Sequence, residues 1–219
     1  LVLIFHYFPS FLKGGFIGVD IFFIISGFLI TNFILERLNK GEFIVYEFYL
    51  RRIYRIFPAL IIVITFSIIF GYLILNSKDF SNLGKNIFST VIFLQNYFLI
   101  SEISNFDPQV NIRPLLHLWS LAIEIQFYLS WPLLILFLFR YKLSIPKVLI
   151  FLILISFLYN IFYLNPNSPG SYLFSHARIW EIFIGCFLVF LKPFINKKNG
   201  FFNYFIDHIF ILGICLIIF

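Results

Sequence analysis

A single acidic residue lies well inside one of the most apolar stretches of the sequence. Glu124 comes seven residues after His117 in HLWSLAIEIQFYLSWPLLILFLF, residues 117–139, which has the length and apolar character of a membrane-spanning helix. A charged carboxylate at that depth is costly, so an acidic side chain there is a functional candidate by default. His117, Ser120 and Glu124 are spaced i, i+3 and i+7 and would share one helix face. The stretch predicts a polar functional site, or a structural carboxylate that needs a partner.

The composition indicates the class of protein that must position these groups. Of the 219 residues, 61% are hydrophobic and 12% are charged, and a soluble domain of this size could not bury so much apolar surface. We therefore predict an all-α fold, a polytopic transmembrane helical bundle that forms one membrane domain over 1–219. Cys186 and Cys215 fall in apolar segments, which indicates neither a disulfide framework nor a metal site. The net charge of +6 indicates membrane topology and no binding to nucleic acid.

Apolar segments along the chain are the candidate helices of this bundle. They lie at 1–8, 17–34, 56–75, 86–100, 116–139, 148–164, 178–193 and 205–219. The first and the last are cut by the ends of the chain, which contains no methionine. We therefore expect the chain to be incomplete at both ends, and the lack of a recognisable signal peptide is uninformative.

The segment 86–100 is ambiguous because it is short for a span and contains Gln95 and Asn96. If it does not cross the membrane, eleven of the sixteen Lys and Arg residues fall on one side, as the positive-inside rule requires of the cytoplasm. If it does cross, the division becomes seven against nine. We therefore predict that 86–100 is a re-entrant or interfacial segment.

In this topology ionisable residues from four helices share the outer half of the membrane. They are His6, Asp20, His117, Glu124, Arg178 and Glu181. Their convergence predicts a buried polar site. Taken singly, each has a plainer interpretation: Arg178 and Glu181 could pair on one helix, Asp20 could cap a helix, and the histidines could be interfacial.

The opposite, cytoplasmic side carries a cluster of arginines in FYLRRIYRIFPAL, residues 48–60. Arg51, Arg52 and Arg55 lie close together at the mouth of a span, and Pro58 is expected to open the helix near its first turn. Guanidinium groups bind phosphates in a fork geometry, so the cluster is a candidate site for a phosphorylated ligand. The alternative is that it binds lipid headgroups or only sets the topology.

Four stretches, in order, resemble the acyltransferase-3 family of bacterial integral membrane acyltransferases. HYFPSFLKGGFIGVDIFFIISGFLIT at 6–31 resembles the opening histidine and glycine-rich signature of the family, and 48–60 resembles its arginine motif. NFDPQVNIRPLLHLWSLAIEIQFYLSWPLL at 105–134 and RIWEIFIG at 178–185 resemble its later signatures. Where the family often has a second adjacent glutamate, this chain has Ile125.

The resemblance implies a set of roles. His6 would be the catalytic base or a transient acyl carrier, with Glu124 or Asp20 orienting its imidazole. Arg178, Glu181, Trp180, His117 and Ser120 would line the acceptor site, and Arg178 could stabilise an oxyanion. Arg51, Arg52 and Arg55 would bind the phosphates of acetyl-CoA, the expected acyl donor, with no metal required.

The expected function is therefore a membrane O-acetyltransferase of the bacterial inner membrane. It would move an acyl group, most simply acetyl, from cytoplasmic acyl-CoA to a hydroxyl of an envelope polysaccharide or glycolipid, such as the O-antigen of lipopolysaccharide. Midplane charges and re-entrant segments also mark transport, so the alternative is a transporter or flippase without transferase chemistry. A fragment cut at both ends would itself be inactive.

Overall fold

A computed structural model describes residue 2 and residues 13–105, 115–163 and 173–195. In these residues a short 3-10 helix at Lys13–Ile17 leads into the first of seven α-helices. The helices are α1 (Gly18–Asn39), α2 (Val45–Ile74), α3 (Ser77–Val91), α4 (Gln95–Asn105), α5 (Leu118–Arg140), α6 (Ile145–Tyr163) and α7 (Ser175–Ile195). The prediction of an all-α, polytopic helical protein is confirmed. Apart from residue 2, the apolar segment 1–8 lies outside the described residues, as do the segment 205–219, Cys215 and His6.

Four helices of the described residues are long and apolar enough to cross a membrane. They are Gly14–Asn39, Val45–Ile74, Leu118–Arg140 and Ile145–Phe162. They correspond to four of the segments expected from hydropathy. Helix α7, which contains the apolar segment 178–193, is not one of the four.

One boundary prediction is wrong. Helix α2 begins at Val45, so Pro58 lies thirteen residues inside it and does not open its first turn. Proline has no N–H to donate, so the carbonyl of Tyr54 loses its usual helical donor. Spanning helices tolerate such a proline where neighbouring helices, hydroxyl side chains or local adjustments of the helix satisfy the freed backbone group.

The segment 86–100 is divided between two short helices. Asn76 caps α3, accepting a hydrogen bond from the Asp79 N–H at 2.8 Å, and α3 ends at Val91. The turn that follows places Phe93 in the left-handed region, at φ 58°, and α4 begins at Gln95. The left-handed conformation is unfavourable for a bulky residue, so the surroundings must hold Phe93 there.

The chain separates into two compact units. The first takes in residues 1–33, 144–155 and 180–219, and the second takes in 34–143 and 156–179. The prediction of a single membrane domain stays a prediction.

In the first unit, α1 and α7 approach each other closely at two glycines. A methyl group on Gly27 would collide with the carbonyl oxygen of Ile182, and one on Gly185 would collide with the carbonyl oxygen of Ile24. Small residues at such crossings let the backbones of membrane helices touch. The contact places Phe23, Ile30 and Ile182 in a closed core.

In the second unit, α5 is the most enclosed of the described helices. Eleven of its residues are buried, including Phe127, Trp131 and Ile135. The rings of Phe127 and Trp131 stack at 5.5 Å between centroids. Helix α5 therefore provides the frame on which the polar side chains of this unit are placed.

Candidate active site

Glu124 is buried on α5, with 6% of its surface exposed. The hydroxyl of Tyr128 donates a hydrogen bond to Oε1 of Glu124. Tyr128 follows Glu124 by four residues, which places both side chains on one face of the helix. The carboxylate that the sequence singled out therefore has a buried partner, and the spacing of four is the signal that could have identified it.

Arg52 reaches the same place from α2. Its guanidinium carbon lies 5.6 Å from the ring centroid of Tyr128 and 5.4 Å from that of Phe48. Its Nε is buried and has no hydrogen-bond partner among the residues that the structure describes. We call Glu124, Tyr128 and Arg52 the Glu124 cluster; it combines a carboxylate, a phenol and a guanidinium inside one unit.

The structure separates the three arginines of the sequence motif. Arg51 and Arg55 are exposed, and Arg51 forms an ion pair with Glu47 at 3.1 Å on the same helix. Arg52 is half-buried and points into the Glu124 cluster. Successive residues on a helix are about 100° apart, since 3.6 residues make one turn, so adjacent arginines leave it in different directions. Two arginines are thus available to a ligand at the surface, and the third is not.

A network of side-chain hydrogen bonds centres on Gln126, which lies between Glu124 and Tyr128 in the sequence of α5. Gln126 donates through Nε2 to the carbonyl of Phe93 at 2.8 Å and to Oδ1 of Asn96 at 3.0 Å. Its Oε1 accepts from Ser175 at 2.7 Å, and Nδ2 of Asn96 donates to Ser175 at 2.8 Å and to the carbonyl of Leu173 at 3.2 Å. This carboxamide network ties α4 and the start of α7 to α5, two residues from Glu124. Sequence reasoning missed Gln126, although a glutamine in an apolar span was a usable signal.

A second polar group surrounds the turn between α3 and α4. Gln95 is fully buried, donates to Oδ1 of Asn86 at 2.8 Å and accepts from the hydroxyls of Ser89 and Thr90. Gln95 and Asn96, which argued against a membrane span in the sequence, are therefore buried and bonded to protein. Their hydrogen bonds hold the turn between α3 and α4 in place, and with it the unfavourable backbone conformation of Phe93.

His117 and Ser120 lie at the start of α5. His117 is the N-cap residue and is exposed, and the hydroxyl of Ser120 donates to its carbonyl at 3.2 Å. Glu124, one further turn along, is buried. The three residues are on one helix as predicted, but their burial differs, so a common ligand site for them stays a prediction.

The remaining predicted site residues lie on α1 and α7 or outside the described residues. Asp20 is half-exposed in the first turn of α1. Arg178 and Trp180 are half-buried near the start of α7, and Glu181 is buried with 2% of its surface exposed. His6 lies outside the described residues. The convergence of these groups with Glu124 is therefore untested.

Metal binding finds no support in the described ranges, which contain no group of three His, Cys, Asp or Glu side chains able to hold an ion. The hydrogen-bond donors of the predicted site residues suit the oxygen atoms of a ligand, in carbonyl, hydroxyl or phosphate groups.

A helical membrane protein with a buried carboxylate cluster is compatible with several classes, and the comparison with protein families decides among them. The model of the acyltransferase domain family matches residues 1–219, so the chain belongs to this family of acyltransferases. No solved structure matches the chain.

The curated relatives that the chain matches are named as O-acetyltransferases. The chain is 36% identical over 209 residues to O-acetyltransferase OatA of Staphylococcus aureus strain NCTC 8325, covering 90% of this chain and 34% of the relative. It is 32% identical over 204 residues to a putative O-acetyltransferase of S. aureus strain COL, with the same coverage. The chain thus spans about a third of the length of the curated relatives it matches.

Proposed function

We propose that the protein is a multi-pass O-acyltransferase of the bacterial cytoplasmic membrane. It transfers an acyl group, acetyl in the simplest case, from acyl-CoA on the cytoplasmic side to a hydroxyl of an extracytoplasmic envelope polysaccharide or glycolipid. The observation that carries this proposal is the buried Glu124 cluster in a chain of the acyltransferase family. The names of the curated relatives as O-acetyltransferases support the oxygen ester as product.

The exposed arginines of α2 suit the donor. Arg51 and Arg55 lie on the side that the positive-inside rule assigns to the cytoplasm, where acyl-CoA is found. Guanidinium groups form charge-assisted hydrogen bonds with phosphate oxygens. Arg51 would exchange its exposed partner Glu47 for a phosphate at small cost, since an exposed ion pair contributes little.

The reaction needs one proton to move. The acceptor hydroxyl attacks the thioester carbonyl, a carbon–oxygen bond forms, and the carbon–sulfur bond breaks. The proton of the hydroxyl passes to a base and then to the sulfur, which leaves as the free thiol of coenzyme A. We assign the base to His6, which could alternatively carry the acyl group on its imidazole between two transfers.

Glu124 is the carboxyl group that the protein holds inside the membrane. The Tyr128 hydroxyl donates a hydrogen bond to it, and the Arg52 guanidinium beside Tyr128 interacts with it electrostatically. A carboxylate held in this way can stabilise positive charge that develops during the transfer. Asp20, Arg178, Glu181, Trp180, His117 and Ser120 are proposed to complete the acceptor side.

Replacement of Glu124 tests the proposal. In membranes containing the full-length protein, labelled acetyl from acetyl-CoA should reach envelope glycan, and Glu124→Gln should lower the rate about a hundredfold or more. The matched control is Glu42→Gln, which removes an exposed carboxylate paired with Arg37 at 3.1 Å and should leave the rate unchanged. Equal rates for Glu124→Gln and Glu42→Gln would remove Glu124 from the reaction. Movement of glycan or lipid across the membrane without acyl transfer would instead support the transporter.

A further inference from the structure

An elongated groove lies between α2 and α5 in the second unit. Its volume is about 290 Å³, close to the lower end of the range for small-molecule pockets. One wall consists of Tyr49, Arg52, Ile53, Ile56 and Phe57. These positions follow i, i+3, i+4, i+7 and i+8 spacing, which is one face of a helix and extends about 12 Å along its axis. We call it the α2–α5 groove.

The other wall comes from α5 and from the turn before α4. It consists of Ile125, Tyr128 and Leu129, with Phe93 from the turn. The hydroxyl of Tyr49 donates to the carbonyl of Leu129 at 2.9 Å and ties the walls together. Tyr128 is also the partner of Glu124, so the groove runs directly beside the Glu124 cluster.

Phe93 contributes to the groove in a conformation that the chain must be forced to adopt. Its φ of 58° is in the left-handed region, its carbonyl accepts from Gln126 at 2.8 Å, and its ring packs edge-on against Phe57 with centroids 6.0 Å apart. Unfavourable backbone conformations persist where the surroundings impose them, and they are concentrated at ligand sites. The carboxamide network therefore maintains the shape of the groove as well as the contact between helices.

The chemistry of the lining is uneven. Apart from Arg52 and the two tyrosines, the side chains that face the groove are hydrocarbon. Arg52 contacts ring faces through its guanidinium, and its buried Nε has no hydrogen-bond partner among the described residues. No polar atom of this lining is exposed to the groove, so a suitable ligand is an extended hydrocarbon chain.

We infer that the α2–α5 groove binds the acyl chain of the donor, with the thioester at the side of the groove that adjoins the Glu124 cluster. The inference rests on the proposed acyl-CoA donor and deepens it, since the groove is much longer than an acetyl group and accommodates a chain of several carbons. Arg52 then forms part of the groove wall, whereas Arg51 and Arg55 are exposed and would meet the phosphates. The lining is apolar and adjoins the Glu124 cluster through Tyr128, which suits the acyl chain of a donor whose thioester must reach that cluster.

Substitutions that fill the groove test this inference. The variants are Ile53→Trp on α2 and Leu129→Trp on α5; both side chains line the groove and are partly exposed, so a larger ring can be placed without disturbing the core. The matched controls are Ile61→Trp on α2 and Leu133→Trp on α5, which are similarly exposed and do not line the groove. Transfer is measured in membranes containing the full-length protein, with acetyl-, butyryl- and hexanoyl-CoA as donors.

The unaltered protein should use all three donors. The groove variants should lower the ratio of kcat/KM for hexanoyl-CoA to that for acetyl-CoA about tenfold or more, because one methylene group in a filled pocket already changes specificity by this order. The two controls should leave the ratio unchanged.

Two results would overturn the inference while leaving the proposed function in place. One is acetyl transfer by an unaltered protein that rejects butyryl- and hexanoyl-CoA. The other is an equal change for all three donors in the groove variants, which would indicate that a lipid chain or another part of the protein occupies the groove. Absence of transfer from every acyl-CoA, acetyl-CoA included, would overturn the proposed donor and this inference together.

Discussion

Helices α2 and α5 are both long and apolar enough to span a membrane, but their surroundings differ sharply. In the most apolar stretch of α5, 56% of the residues are buried, whereas in that of α2 only 11% are buried. Helix α5 carries Glu124 and Gln126 within its length, while the charged residues of α2 are confined to its first turns, at Glu47, Arg51, Arg52 and Arg55. Polar residues inside the apolar stretch therefore mark α5 as the helix that is enclosed by protein, whereas the apolar stretch of α2 is largely exposed.

The physical reason is that lipid provides no hydrogen-bond partners. A carboxylate or a carboxamide within the membrane must find its partners in neighbouring protein, so the helix that carries it has to be packed on that side. Tyr128 for Glu124 and Asn96 with Ser175 for Gln126 are such partners. Most of α2 has no such requirement and leaves Ile62, Phe66 and Ile69 exposed.

The largest expected difference between α5 and α2 is in the stability lost when an aromatic ring is removed, because the ring is buried on α5 and exposed on α2. Trp131→Ala on α5 removes a ring that is 1% exposed, and we expect a loss of about 3–5 kcal/mol in the free energy of unfolding. Phe70→Ala on α2 removes a ring that is 53% exposed and stacks on Phe66, so the loss should be below about 1 kcal/mol. Unfolding of the purified variants in detergent measures both. Equal losses would show that the two helices are equally enclosed in the full-length protein.

The next effect concerns the carboxamide network. Gln126→Leu removes one hydrogen-bond partner from each of three groups: the carbonyl of Phe93, Oδ1 of Asn96 and the hydroxyl of Ser175. Each such buried group costs about 1–3 kcal/mol. The control on the same helix is Ser130→Ala, whose exposed hydroxyl donates to carbonyls of its own helix, and it should change stability by less than about 0.5 kcal/mol. Unchanged stability of Gln126→Leu in the same unfolding measurement would mean that the network contributes little.

The smallest effect on stability is expected at the polar end of α2. Arg51→Gln breaks an exposed ion pair and should cost less than about 0.5 kcal/mol. The loss of one charge-assisted bond to phosphate should raise the KM for acyl-CoA about tenfold, with kcat nearly unchanged. Arg37→Gln, which removes a similar exposed arginine paired with Glu42, is the control and should leave KM unaltered. A KM that responds equally to both substitutions would exclude a specific phosphate contact at Arg51.

The helices of the described residues were largely predictable because hydrophobic length is a local property of the sequence. Helix boundaries were less so: the charged turns of α2 before Pro58 have no apolar signal, yet they continue the helix back to Val45. The break at Phe93 was expected only as an interruption, since the left-handed turn depends on the bonds of Gln95 and Gln126 to its surroundings.

The site was predictable in its residues more than in its contacts. The depth of Glu124 identified it, but its pairing with Tyr128 and the approach of Arg52 depend on the packing of α2 against α5, which no spacing within one segment contains. The different directions of Arg51 and Arg52 follow from helix geometry once both are known to lie inside α2. The role of His6 rests on the family resemblance.

The most direct test of the account is therefore the dependence of acyl transfer on His6. Membranes containing the full-length protein, or its His6→Ala variant at equal expression, are supplied with labelled acetyl-CoA, and label on the envelope glycan is measured. His208→Ala, which alters a histidine without an assigned role, is the matched control. The account predicts that His6→Ala lowers transfer about a hundredfold or more while His208→Ala transfers normally. Equal label on the glycan with all three proteins would contradict the assignment of His6 as the base or acyl carrier.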